Sequence, residues 1–141
     1  MRRALQIAAL AVLALALAAP ASAMGATITA HESRYGKVLF DGADRVLYLF
    51  TKEETEKPRC YGECAEAWPP FVVAGKPKAG DGAKGKHIGV TKRRNGSKQG
   101  TYNGHPLYYY EHDDPGEILC HDVFEYGGDW LVVTPRGKPA D

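Results

Sequence analysis

Apolar residues first run together, then break into short stretches divided by turn residues. From Ala4 to Ala18 the run is interrupted only by Gln6, with Arg2-Arg3 before it and Pro20 and Ala21-Ser22-Ala23 behind it. A basic start, a short apolar stretch and small residues before a cleavage point are the marks of an export signal. The run is short of the roughly 20 residues that a membrane span needs. Removal after Ala23 is therefore expected rather than a retained anchor. Residues 1–23 would be the signal, and 24–141 one exported domain of 141 − 23 = 118 residues. That length suits one core and is small for two.

Beyond the signal the pattern is that of short strands. Lys37 to Phe40 and Val46 to Thr51 read as a hairpin around Asp41-Gly42. Val46, Leu47, Leu49 and Phe50 put apolar groups on both faces, so that strand should lie centrally. Ile88 to Arg93 and Lys98 to Tyr102 flank Asn95-Gly96, the strongest short hairpin signal. Thr101-Tyr102 and Leu107 to Glu111 flank Asn103-Gly104-His105-Pro106, and Val123 to Tyr126 and Trp130 to Thr134 flank Gly127-Gly128-Asp129. One short helix is expected over Gly62 to Trp68, starting near Glu63 and stopped by Pro69-Pro70. Lys76 to Lys86 reads as a Gly/Lys/Pro linker.

The pattern occurs twice. When residues 36–77 are laid over residues 100–139, Asp41-Gly42 meets Asn103-Gly104, and Leu47-Tyr48-Leu49-Phe50 meets Leu107-Tyr108-Tyr109-Tyr110. Tyr48 precedes Cys60 by the same interval as Tyr108 precedes Cys120. Trp68 and Trp130 follow, then Phe71-Val72-Val73 and Leu131-Val132-Val133, and each copy closes on Gly-Lys-Pro. A repeat of this kind implies units that cannot close a core alone. The expected fold is mainly β: a single compact antiparallel domain of two pseudo-symmetric repeats, with Trp68 matching Trp130 in the core and Tyr48 matching Tyr108.

Composition narrows the function classes. Lys and Arg total 18 and Asp and Glu 17. Once Arg2 and Arg3 leave with the signal, the balance is close to neutral. That is no broad positive field for nucleic acid or for anionic lipid, and no stable membrane insertion is expected after cleavage. Lys92-Arg93-Arg94 with Lys98 reads as a solvated hairpin tip. Gly80-x-Gly82-x-x-Gly85-Lys86 has the letters of a phosphate loop without the strand and helix such a loop requires.

Each unit carries a Tyr-x-aromatic-x-x-acid motif, Tyr48-x-Phe50-x-x-Glu53 and Tyr108-x-Tyr110-x-x-Asp113. Together with Cys60-x-x-x-Cys64-Ala65-x-x-Trp68-Pro69-Pro70, Asn103-Gly104-x-Pro106-Leu107-Tyr108-Tyr109 and Gly127-Gly128-x-Trp130, it resembles the bacterial "secreted repeat of unknown function" family. Members of that family are also described as lipoproteins with a Y-x-(F/W/Y)-x-x-D motif. The resemblance spans roughly residues 34–137. The chain departs from it at Glu53, where the motif has Asp, and in having no Cys at the signal junction to carry a lipid. The resemblance implies an exported domain and brings no established activity.

Three cysteines in an oxidising compartment allow one internal bridge and leave one sulfur over. Cys60–Cys64 would close a loop worth roughly 2 kcal/mol, and Cys60–Cys120 a longer one worth roughly 4 kcal/mol. Chain entropy favours the long bridge. The resemblance includes Cys60 and Cys64 as a pair and so implies the short one, with a bend at Tyr61-Gly62 and Cys120 left as a buried thiol. A sharper alternative makes Cys60, Cys64 and Cys120, with His121 or His112, a soft site for copper or zinc. Glu53 and Asp113 end their strands. They suit turn capping, or paired acid and base if they face each other across the repeat axis. The expectation is an exported, non-enzymatic module without a cofactor, secreted or periplasmic, which binds an envelope or extracellular partner. The alternatives are a periplasmic redox or copper-handling module built on the cysteines, and a hydrolytic enzyme using Glu53 and Asp113.

Overall fold

The computed structural model describes residues 25–141, so the expected export signal lies outside the described residues. Ten short strands and one short helix follow one another in chain order. They are β1 (Thr27–Ser33), β2 (Gly36–Asp41), β3 (Tyr48–Phe50), α1 (Glu63–Ala67), β4 (Val72–Val73), β5 (Lys78–Ala79), β6 (Ile88–Lys92), β7 (Lys98–Tyr102), β8 (His105–Pro106), β9 (Val123–Glu125) and β10 (Gly128–Val132). They form three small sheets, ordered β2-β1-β5, β3-β10-β9 and β4-β7-β6, with β8 also on β7. Every named strand pair is antiparallel except β1 with β5. The mainly antiparallel β architecture and the lone helix are as expected.

Each repeat opens with a hairpin, β1–β2 in the first and β6–β7 in the second. The pattern of apolar residues showed the second hairpin and missed β1. Only Ile28 and Ala30 of β1 are buried, and its second half, His31-Glu32-Ser33, is polar. The hairpin expected around Asp41-Gly42 is reduced to a single bridge, Phe40 to Val46. On the edge of β2 away from β1 the Leu39 amide goes to the Val133 carbonyl at 2.8 Å, and β3 leaves to pair with β10. The stretch read as a linker is also tied down, with β5 parallel to β1 and Ala30 donating its amide to the Asp81 carbonyl at 2.8 Å.

The two repeats are threaded through each other. Strand β3 of the first pairs with β10 of the second, Tyr48 opposite Val132 and Phe50 opposite Trp130. Reciprocally, Tyr108 of the second bridges Pro70 of the first. The Phe71 amide reaches the Leu107 carbonyl at 2.9 Å, and the Tyr109 amide reaches that of Pro69 at 2.8 Å. On the repeat axis Tyr48 and Tyr108 exchange backbone bonds in both directions, at 2.9 and 3.0 Å. Residues 107–111 thus form bridges rather than the regular strand expected, because Tyr108 is shared between two neighbours.

Alternation places core on both faces of the central strands. Val38, Phe40, Tyr48 and Phe50 join Trp68, Tyr108, Trp130 and Val132 in one cluster. Leu39, Leu47 and Leu49 join Ile28, Phe71, Leu107 and Val133 in the other. The expectation of a central 46–51 segment with two apolar faces therefore holds. Gly128 belongs to this packing: a Cβ there would lie 2.6 Å from the Phe50 ring and 2.9 Å from the Lys52 amide nitrogen. The close approach explains the second glycine of Gly127-Gly128-x-Trp130.

Candidate functional site

The two Tyr-x-aromatic-x-x-acid motifs meet at the repeat axis and exchange partners. The Tyr48 hydroxyl of the first repeat donates to Asp113 Oδ2 of the second at 2.6 Å. The Tyr108 hydroxyl of the second donates to Glu53 Oε2 of the first at 2.5 Å. Tyr48 and Tyr108 are fully buried and both acids nearly so. Burial, followed by the facing carboxylate, pushes both phenols far above their ordinary range. They are donors at any physiological pH.

Each acid also closes a loop. Arg59 donates its amide to Glu53 Oε2 at 2.7 Å, and Leu119 donates its amide to Asp113 Oδ1 at 2.9 Å. Arg59 and Leu119 immediately precede Cys60 and Cys120, so the caps are equivalent. Asp113 divides the work between its oxygens, whereas Glu53 places both bonds on Oε2. Glu53 Oε1 is buried with no hydrogen-bond partner among the described residues. Burial, against the Tyr108 and Arg59 bonds and the Arg93 charge, pushes the Glu53 carboxyl up to about 7. Asp113 is raised for the same first reason. No hydrogen bond joins the two acids to each other; each is held by the opposite repeat's phenol.

Aromatic rings fill the axis in a continuous stack. Phe50 lies on Trp130 at 4.1 Å, Trp130 on Trp68 at 4.2 Å, and Tyr110 tilts over Trp68 at 4.9 Å. Tyr48 sets its edge on Trp68 and Tyr108 its edge on Trp130, both at 5.2 Å. The two tryptophans are therefore equivalent core residues in contact. Both indoles donate to Glu125, Trp68 to its carboxylate at 2.8 Å and Trp130 to its carbonyl at 3.1 Å.

Cys60 and Cys64 form a disulfide, with their Cα atoms 5.3 Å apart. Gly62 takes a positive φ of 58° between them, and α1 begins at Glu63, so the bend and the helix start fall where expected. Cys120 is a free thiol, half-buried rather than buried. It faces the Tyr110 hydroxyl, and that contact, ahead of burial, pushes the phenol up to about 12. The candidate metal ligands are thus dispersed. Two sulfurs are joined, His121 Nδ1 accepts the Val132 amide at 3.0 Å, and His112 is exposed beside Glu111. Among the described residues no group of three or more His, Cys, Asp or Glu is placed to hold a metal ion.

The expected solvated tip is only partly solvated, because Arg93 is 7% exposed. Its guanidinium donates to the Cys60 carbonyl at 2.6 Å and to Gln99 Oε1 at 2.9 Å, and lies 4.3 Å from the Tyr61 ring. Buried Gln99 in turn donates to the Leu107 carbonyl at 2.7 Å. Nothing in the local sequence distinguishes Arg93 from Lys92 or Arg94. Its burial follows from where the other repeat's Cys60 loop lies. Arg94 covers the same Tyr61 ring at 4.1 Å. Beside it two adjoining hollows, of about 480 and 400 Å³, share Lys52, Arg59 and Arg94.

A β protein of two exchanged repeats, each braced by the other's tyrosine, is the class that this geometry defines. The chain belongs to the family described as secreted repeat of unknown function, which it matches over residues 29–72 and 89–134. The matched spans begin within β1 and β6, in keeping with repeats that each start with a hairpin. No curated protein and no solved structure matches the chain. No helix among the described residues is long and apolar enough to cross a membrane.

Proposed function

We propose that the chain is an exported, non-catalytic binding module of the cell envelope or its surroundings, whose shared motif is a folding device and whose recognition surface lies elsewhere. One observation carries this reading: the motif's phenols and acids are spent on each other. Both hydroxyls donate to buried carboxylates, and the carboxylates also cap the loops behind them. A general acid or base must come within hydrogen-bond reach of a substrate, and these groups lie under 0–5% exposure. Family membership supports export, and the periplasm or the outer surface is the compartment in which the Cys60–Cys64 bridge would persist.

The test compares Tyr48→Phe and Asp113→Asn with wild type, in denaturant unfolding and in turnover of a panel of chromogenic ester and glycoside substrates. Lower stability in both variants and no turnover in any protein support the reading. Wild-type turnover that either variant abolishes while staying fully stable contradicts it.

A further inference from the structure

The internal repeat supplies its own control for the loops that the motif acids close. Residues 53–59 and 113–119 do the same job, each capped by its acid six residues upstream. Their surfaces differ. From Glu111 to Asp122 the second repeat carries five acidic residues and no Lys or Arg. The first places Lys52, Lys57 and Arg59 beside its loop, and Arg94 joins them from the β6–β7 turn. The fold can evidently make this loop without cations.

These four cations line the two adjoining hollows, against only Glu54 and Glu63 among the acids of the lining. None of the four forms a salt bridge with a carboxylate among the described residues. The floor is fixed. Arg93 and Arg94 cover Tyr61, the disulfide pins the chain on either side of it, and the Arg94 amide donates to the Tyr61 hydroxyl at 3.3 Å. The Lys52 side chain lies against the β9–β10 turn, its Nζ 3.7 Å from where a Cβ of Gly127 would stand. On that turn Tyr126, which lines the second hollow, is 43% exposed.

We propose that this groove binds an anionic polysaccharide, its carboxylate or phosphate groups on Lys52, Arg59 and Arg94 and a sugar face against Tyr126. The inference rests on the binding-module reading above and names its ligand class. Two hollows in series sharing three cations are larger than one free anion needs and suit a chain with repeating charge. An exposed ring beside cations can take the apolar C–H face of a pyranose while the cations take its charge, whereas a purely electrostatic partner would not need the ring. Arg94, held by Tyr61, presents a planar fork suited to two oxygens of one anionic group.

The experiment is a fluorescence-anisotropy titration of the mature protein with labelled polygalacturonate oligosaccharide at low and at physiological salt. Neutral dextran, polyglutamate and phosphatidylglycerol vesicles serve as rival ligands. The expected result is saturable binding that weakens with salt and that dextran does not compete away. It should weaken about ten-fold or more in Lys52→Glu/Arg59→Glu and stay unchanged in Glu117→Lys on the second repeat. The milder Lys52→Met/Arg94→Gln pair stands in if the charge reversal fails to fold. Tyr126→Ser should weaken the sugar polymer and leave polyglutamate unaffected. Equal binding of polyglutamate or of vesicles overturns the saccharide assignment, and no binding of polygalacturonate overturns the groove. Tyr48→Phe, handled below its melting temperature, should bind like wild type. If it loses binding while still folded, the motif itself touches ligand, and the folding-device reading falls with it.

Discussion

Asp113 closes its half of the molecule with two oxygens, one on the Leu119 amide and one on the Tyr48 hydroxyl. Glu53 closes the other half with a single oxygen that takes both the Arg59 amide and the Tyr108 hydroxyl. The carboxylates stand at matching positions and differ by one methylene, and the longer arm leaves Oε1 buried and unpartnered. A buried acceptor without a partner costs about 1–3 kcal/mol. Arg93, buried nearby and bonded to the Cys60 carbonyl, offsets part of this through its charge. In the second half Arg45, which donates to the Tyr110 carbonyl at 3.1 Å, acts on Asp113 in the same direction. The comparison shows which parts of the motif are fixed by the shared task and which drift: the phenol, the acid and the loop cap persist, while the reach of the acid, the bridging of the cysteine and the surface charge do not.

The aromatic stack treats the halves alike, so the largest expected effects are also the most equal. Trp68→Ala and Trp130→Ala should each cost about 3–5 kcal/mol in denaturant unfolding. A loss under about 1 kcal/mol for one of them would show that the halves do not share the stack.

The acids should separate the halves by pH. Glu53 is raised from an ordinary 4.5 to about 7 in the folded protein, first by burial. Below 4.5 both folded and unfolded chains hold this proton. Between 4.5 and about 7 the unfolded chain releases it first, so the folded state binds more protons and stability falls as pH rises. The wild type should lose up to about 3 kcal/mol across that window, and Glu53→Gln should flatten the slope. Groups facing Glu53 are the Tyr108 phenol, which stays protonated, and the Arg59 and Arg93 guanidinium groups. Asp113 is raised in the same direction, first by burial, so Asp113→Asn should remove a further part of the slope. Unfolding curves from pH 4 to 8 for the three proteins check the sign. Stability that rises through this range would contradict it.

A smaller difference lies in the phenols. Tyr48→Phe strips Asp113 Oδ2 of the partner recorded for it, whereas Tyr108→Phe leaves Glu53 Oε2 with the Arg59 amide. Tyr48→Phe should therefore be the more damaging by about 1 kcal/mol, within the usual range for a buried hydrogen bond. Equal losses would mean that the two halves tolerate the change alike despite their different acids.

Much of this arrangement was legible before any coordinates. The repeat, the two-faced 46–51 strand, the Asn95-Gly96 hairpin and the helix start at Glu63 all follow from local spacing and turn chemistry. The exchange of partners does not. Tyr48 stands five residues from Glu53 in sequence but bonds Asp113, and no local pattern distinguishes a motif that closes on itself from one that closes on its copy. Strand β1 was hidden because only Ile28 and Ala30 face the core. Arg93 was misread because its burial is imposed by the distant Cys60 loop. The groove was missed for a related reason, since Lys52, Arg59 and Arg94 lie in separate stretches of chain that only the fold brings together.

Neither repeat is folded without the other, and native-state hydrogen exchange tests this directly. The Tyr48 and Tyr108 amides, each bonded to the other's carbonyl, should exchange only by global unfolding. Both should show the same opening free energy as the Trp130 amide in β10, and all three should shift together with denaturant. An opening free energy several kcal/mol lower for the amides of one repeat, with the other still protected, would contradict the claim and show two units that fold separately.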